Sequence, residues 1–175
     1  MRASLRVGAA GLAALVAGCL PAHPALTGSA GAPALRPDAF FLGATQGAGT
    51  LHVVGRSARA VRVTSQGAPL GDGRFRLVQQ VTIGDAPARE RTWVMVPDGP
   101  DAWTGTLGDA AGPVRVTADG PTLRIWYRTG AVTTFHQRLV LLADGRTVEN
   151  RSSARVLGVP IARLLETITR ATPVR

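Results

Sequence analysis

The sequence contains no lysine. All 20 basic residues are arginine, set against 11 acidic ones, for a formal net charge of +9. There is one cysteine, Cys19, which excludes an internal disulfide. Aromatic residues make up 5% of the chain, so few rings are available to fill a core. Catalytic signatures are also missing. There is no Gly-x-Ser-x-Gly elbow, no His-Glu-x-x-His and no His-x-His pair. No apolar run is long enough to stay in a bilayer as a spanning helix. Val7 to Gly18 is uninterrupted Ala, Gly, Leu and Val, but its helical length of about 18 Å falls short of a ~30 Å hydrocarbon core.

That run has another reading. It follows "MRASLR", which carries Arg2 and Arg6 and no acid, and so completes the charged start and apolar middle of a signal peptide. Its end, Val16-Ala17-Gly18-Cys19, resembles the bacterial lipoprotein signal. The resemblance implies cleavage before Cys19, a diacylglycerol on its sulfur and an acylated amino group. The alternative is an ordinary secretory signal with an incidental cysteine. Removing residues 1–18 leaves 18 arginines against 11 acids, a net charge of +7, on a length that suits one domain. A basic balance often marks a nucleic-acid partner, but export argues against one here. Arginine spread over solvent-facing strand positions reads as the habit of a GC-rich genome; patches facing anionic head groups are the alternative. Residues 19–38 are rich in Pro, Ala and Gly and lack periodicity, as a lipid-attached tether would be. His23 lies within it.

From Phe40 onward the pattern turns to short alternating runs. Asp-Gly pairs at 72–73, 98–99, 119–120 and 144–145 mark turns, because both residues tolerate positive φ. The runs between them alternate as half-buried strands do: "GRFRLVQQVTIG" sets Phe75, Leu77, Val81 and Ile83 against Arg74, Arg76, Gln80 and Thr82. The pattern predicts eight or nine antiparallel strands over residues 39–175. Such strands must close up or curve strongly to hide their edges. The expected fold is therefore all-β: an up-and-down β-barrel or a strongly curved sheet. In the tail, Ile161, Leu164, Leu165 and Ile168 fall at i, i+3, i+4 and i+7 behind Pro160. This spacing predicts a short amphipathic helix over about 160–170, packed on the barrel or laid on a membrane.

Period-two alternation assigns the interior. Trp93 shares a face with Arg91 and Met95, while Tyr127 shares one with Leu123 and Ile125 and points away from Trp126. If the interior leaves a space, its candidate lining is Phe75, Leu77, Trp93, Met95 and Tyr127, with Gln79 as a polar anchor. Asp109, among the glycines of "GTLGDAAG", is the acid most worth watching; capping its own turn is the plainer role. His52 and His136 fall on separate predicted strands. His136 as a haem ligand is an outside alternative to a surface histidine beside Arg138.

Five stretches in order also carry a family likeness: "FFLGATQGAG", "RTWVM", "WTGTLGDAAG", "LRIWY" and "ENRSSARVLGV". Together they resemble a family of proteobacterial lipoproteins described only as a domain of unknown function, whose members look like small lipocalin-type barrels. The opening Phe-x-Gly…Gly-x-Gly is similar to the first strand of calycin barrels, where an aromatic plugs one end and glycines relieve crowding. Where the family pattern has an acidic pair before tryptophan, this chain has Phe135, His136 and Gln137. The resemblance implies fold and compartment and brings no activity.

The expectation is a non-enzymatic lipoprotein of the bacterial outer membrane, facing the periplasm. Leu20, rather than Asp, after the cysteine points to outer-membrane delivery. Its partners would be the membrane, through acyl chains on Cys19, and a lipid or other apolar small molecule in the barrel. A solid-core adaptor binding an envelope protein is the alternative, and a lipid-modifying enzyme a third. No metal, cofactor or nucleic acid is expected.

Overall fold

A computed structural model describes residues 20–24 and 30–171. The expected signal peptide and Cys19 lie outside the described residues. A one-turn helix, α1 (Pro37–Phe40), precedes ten strands: β1 (Gly43–Val53), β2 (Arg59–Pro69), β3 (Phe75–Ile83), β4 (Arg89–Pro97), β5 (Ala102–Leu107), β6 (Val114–Asp119), β7 (Thr122–Thr129), β8 (Thr133–Leu141), β9 (Thr147–Val156) and β10 (Val159–Arg170). Every strand pairs antiparallel with its sequence neighbour, and β10 returns to β1 to close the barrel. The expected all-β barrel is thus the fold, and it is closed rather than merely curved.

The tenth strand is a correction. Residues 160–170 were expected to be a helix, but Val159–Arg170 is extended and pairs along both edges, with β9 and with β1. The helical spacing was a coincidence of two faces. Leu164 and Ile168 point inward with Ala162 and Glu166, whereas Leu165 lies opposite Thr50 on the outer surface. The β-branched residues Thr167, Ile168 and Thr169 suit a pleated strand. Pro160 does not break it, because a bulge between Pro160 and Ala162 interrupts the ladder there, beyond the last β1 partner. Closure has a simple physical reward: without β10, both β1 and β9 would present an unpaired edge.

The two ends of the barrel differ. One end carries α1 and the turns β2–β3, β4–β5, β6–β7 and β8–β9. It holds all four Asp-Gly pairs. There Asp144 accepts bonds from the backbone N–H groups of Arg146 and Thr147 at 2.9 Å each. This end is plugged. Leu35, Phe40 and Phe41 are buried against Phe75, Trp103 and Met95. The rings of Phe40 and Phe41 meet edge to face at 5.0 Å. The Leu35 N–H donates to the Gly120 carbonyl at 2.9 Å, and the Arg36 guanidinium lies 4.7 Å over the Trp103 ring. The segment expected to be tether up to residue 38 therefore joins the fold from Leu35 onward, because its apolar residues are the stopper. Gly67 makes room for it: a Cβ there would lie 2.0 Å from the Phe41 carbonyl oxygen. Stopper and strands all lie within residues 35–170, so the barrel is complete without the segment ending at Cys19. The other end, with turns β1–β2, β3–β4, β5–β6, β7–β8 and β9–β10, has no such stopper among the described residues.

Candidate ligand cavity

Inward-facing side chains follow from the register. Directly opposed antiparallel residues point the same way, so Val61, Gly49, Glu166, Asn150 and Leu139 form one inward belt across five strands. Near the plugged end the belts are large and apolar and fill the space. Beyond them they leave a cavity of about 230 Å³. Its walls include Val61, Val63, Leu77, Trp93, Met95, Ile125, Leu139 and Leu164, with Phe41 as the floor. That volume suits one small ligand or a length of acyl chain.

Polar groups enter this space at two levels. Deep in the wall, Glu166 on β10 receives a hydrogen bond from Asn150 Nδ2 on β9 at 2.9 Å. Burial raises the Glu166 carboxyl above its ordinary value, against the opposing effect of the Asn150 bond. Glycine is what lets this acid in: a Cβ on Gly47 would lie 2.1 Å from Glu166 Oε1, and one on Gly49 2.1 Å from the Leu165 carbonyl oxygen. Asn150 itself is 5% exposed, and its Oδ1 is buried without a partner. Such an atom costs free energy unless something donates to it.

Toward the open end, Arg91 donates to Asp109 at 3.2 Å and to the Tyr127 hydroxyl at 3.2 Å; Gln137 donates to the same hydroxyl at 3.3 Å. Burial works against the Arg91 charge, but Tyr127 and Asp109 outweigh it and the net shift is upward. The Tyr127 ring stacks on Phe135 at 4.9 Å and meets Trp93 edge-on at 5.7 Å. Trp93 Nε1 donates to Gln79 Oε1 at 2.6 Å, and Gln79 in turn reaches Ser65 Oγ at 3.4 Å. These bonds fix three aromatic rings on one side of the cavity.

Of the six residues picked from alternation, Leu77, Gln79, Trp93, Met95 and Tyr127 line the cavity. Phe75 points inward as well but packs into the plugged end, against the space Gly67 leaves. Gln79 is already engaged by Trp93 and Ser65. The residues that alternation missed are Asn150 and Glu166. Glu166 was hidden in the supposed helix, and Asn150 on a strand with no apolar signature. Asp109, expected to cap its own turn, is instead seen as the ion partner of Arg91. His136 is exposed and lies opposite Trp126 on the outer face; His52 pairs with Arg163 on that face too. Neither imidazole faces the cavity. Among the described residues no three His, Cys, Asp or Glu side chains converge as metal ligands.

A closed antiparallel barrel with a stopper at one end and an apolar, polar-tipped cavity toward the other defines a lipocalin-like barrel compatible with holding a small molecule. Residues 13–170 match the family model described as "Protein of unknown function (DUF3833)", and the chain belongs to that family. Solved structures share the fold. The S-type phycobiliprotein lyase CPES from Guillardia theta superposes with a TM-score of 0.63 at 9% identity, covering 78% of this chain and 92% of that one. A DUF3598 family protein of unknown function from Nostoc punctiforme gives 0.62 at 17% identity, covering 85% and 54%. Rv2717c from M. tuberculosis gives 0.60 at 16% identity, covering 79% and 99%. No curated protein matches the sequence.

Proposed function

We propose that this protein is a lipid-anchored barrel of the bacterial outer membrane, facing the periplasm, that carries an apolar small molecule bearing one hydrogen-bond donor, such as a hydroxyl or amide N–H. The observation that carries this reading is the buried, unpartnered Asn150 Oδ1 in the wall of a largely apolar cavity. A ligand N–H or O–H would satisfy it, while the chain of the ligand would lie against Trp93, Tyr127 and Leu164. Glu166, with its carboxyl pushed toward the neutral form, can donate or accept beside it. The reading is of a binder rather than an enzyme, since the partner of Glu166 is an amide that does not serve as an acid or base at ordinary pH. The cavity also weighs against the solid-core adaptor, which has no use for one.

The anchor rests on Val16-Ala17-Gly18-Cys19 and on a family match that begins inside the apolar run. Labelled palmitate should enter the wild type and not Cys19→Ser; equal labelling would end the lipoprotein reading. Native mass spectrometry of protein taken from its own membrane tests the cargo. The expected spectrum shows a bound mass of a few hundred daltons that is lost on unfolding. A bare chain in every preparation would return the adaptor reading to the front.

A further inference from the structure

The turn β9–β10 is a two-residue hairpin, Val156-Leu157-Gly158-Val159, with Leu157 at φ 49 and Gly158 at φ 83. Both central residues of such a turn need positive φ, which is why Asn-Gly or Asp-Gly is usual there. Leucine tolerates that conformation poorly. It is also 78% exposed, so no packing compensates it. A strained, exposed leucine points to a role outside the fold. It has company. Val159 (63%), Val132 (46%) and Val54 (39%) are exposed on the same end, on the turns β9–β10, β7–β8 and β1–β2. These three hairpins are neighbours in the closed sheet. They are tied together: the Leu157 N–H donates to the Val132 carbonyl at 3.1 Å, and the Val54 N–H to the Ile161 carbonyl at 3.0 Å.

The charge on these three hairpins has one sign, with Asp85 on the adjoining turn β3–β4 as a nearby exception. Residues 50–64, 128–138 and 151–165 contain no Asp or Glu, yet include Arg56, Arg59, Arg128, Arg155 and Arg163. We propose that this rim of the open end docks on an anionic lipid bilayer, with Leu157 and Val159 entering the acyl boundary and the arginines meeting head-group phosphates. Four apolar side chains on three separate tips offer no broad face of the size a stable protein interface buries. A bilayer takes up such points singly, and each arginine near an anionic surface adds to the attraction. The Arg163 guanidinium also donates to the Pro21 carbonyl, which lays the segment just after Cys19 along the mouthward half of β10. The docking itself needs neither anchor nor cargo, so its failure would leave the cavity reading standing.

The test uses the chain from Leu20 onward, which holds the whole barrel and no anchor, with vesicles of phosphatidylethanolamine and phosphatidylglycerol, and of phosphatidylcholine alone. Binding is expected to the phosphatidylglycerol vesicles and to weaken with salt. Leu157→Asn should lower it by about tenfold or more, the loss expected on removing one inserted leucine. The same variant should melt higher than the wild type, because asparagine relieves the backbone. Arg56→Gln and Arg155→Gln should each cost about fivefold, and Leu70→Asn at the plugged end should cost nothing. Absence of binding, equal binding to phosphatidylcholine, or a Leu157→Asn chain that binds as the wild type does would each overturn the proposal. So would a Leu157→Asn chain that melts lower, since that would make the leucine a structural residue.

Discussion

The plugged end turns from β2 to β3 with Asp72 at φ 48 and Gly73 at φ 78; the open end turns from β9 to β10 with Leu157 at φ 49 and Gly158 at φ 83. The φ angles at the two positions are nearly the same and the side chains are opposite. Asp72 suits its conformation and pairs with Arg74 at 2.9 Å, whereas Leu157 suits neither its conformation nor water. Six of the 11 acidic residues (Asp38, Asp72, Asp98, Asp101, Asp119 and Asp144) sit on the plugged end. The interior repeats the contrast. Toward the stopper the belts are packed with Leu35, Phe41, Phe75 and Trp103; toward the mouth they thin out around Asn150, Glu166 and Arg91. One end is built for stability. The other carries strain and a cavity with an unpaired acceptor in its wall; the unpartnered Thr45 Oγ1 and Trp103 Nε1 at the plugged end border no such space.

Charges set on opposite faces of β10 give the largest effect. Leu164→Asp puts a carboxylate into the cavity beside Glu166 and should cost several kcal/mol or prevent folding. Leu165→Asp, next to it on the outer face, should cost under about 1 kcal/mol. Equal penalties in thermal melts would contradict the strand. Next come the two tryptophans. Trp103→Ala at the plugged end should cost about 3–5 kcal/mol, as for a fully packed ring. Trp93→Ala should cost roughly 1–2 kcal/mol less, because one side of its ring already faces a space. Chemical denaturation of both variants decides whether the two ends differ in packing.

Glu166 gives a smaller, pH-dependent effect. Its folded pKa is raised above 4.5 by burial, so within the window from about 4.5 upward the folded chain keeps a proton that the unfolded chain releases. Stability therefore falls as pH rises through that window and levels off above the raised value. Glu166→Gln should remove this decline and match or exceed the wild-type melting temperature at neutral pH. A decline that persists in the variant would place its source elsewhere.

The sequence displayed one end better than the other. The four Asp-Gly pairs announce turns because aspartate and glycine are chosen there for their backbone, and every one of them lies at the plugged end. Alternation then orients Leu77, Trp93, Met95 and Tyr127 correctly, since neighbouring side chains on a strand must face opposite ways. The open end resists such reading for the reason that makes it interesting. Leu157-Gly158 looks like strand rather than turn, and the polar residues of the cavity wall break the apolar pattern that identifies an inward face. In β10, Glu166 interrupts Leu164 and Ile168, and the outward Ile161 and Leu165 complete a helical spacing by accident. Register fixed by two neighbouring strands overrides it, and a single sequence does not display register. Only part of the stopper was hidden: the calycin likeness implied an aromatic plug, but Leu35 sits in a Pro-Ala tract whose composition is that of a linker.

The central claim is that the cavity holds an apolar molecule through a donor to Asn150 Oδ1. It is tested most directly by titrating the chain from Leu20 onward with octanol and with octane while following tryptophan emission. The account predicts saturable one-to-one binding of octanol, tighter than octane, with a signal that disappears in Trp93→Phe. Asn150→Leu should weaken octanol by about tenfold, the worth of one buried hydrogen bond, and abolish its advantage over octane. Octanol binding that is unsaturable, or that Asn150→Leu leaves unchanged, would contradict it.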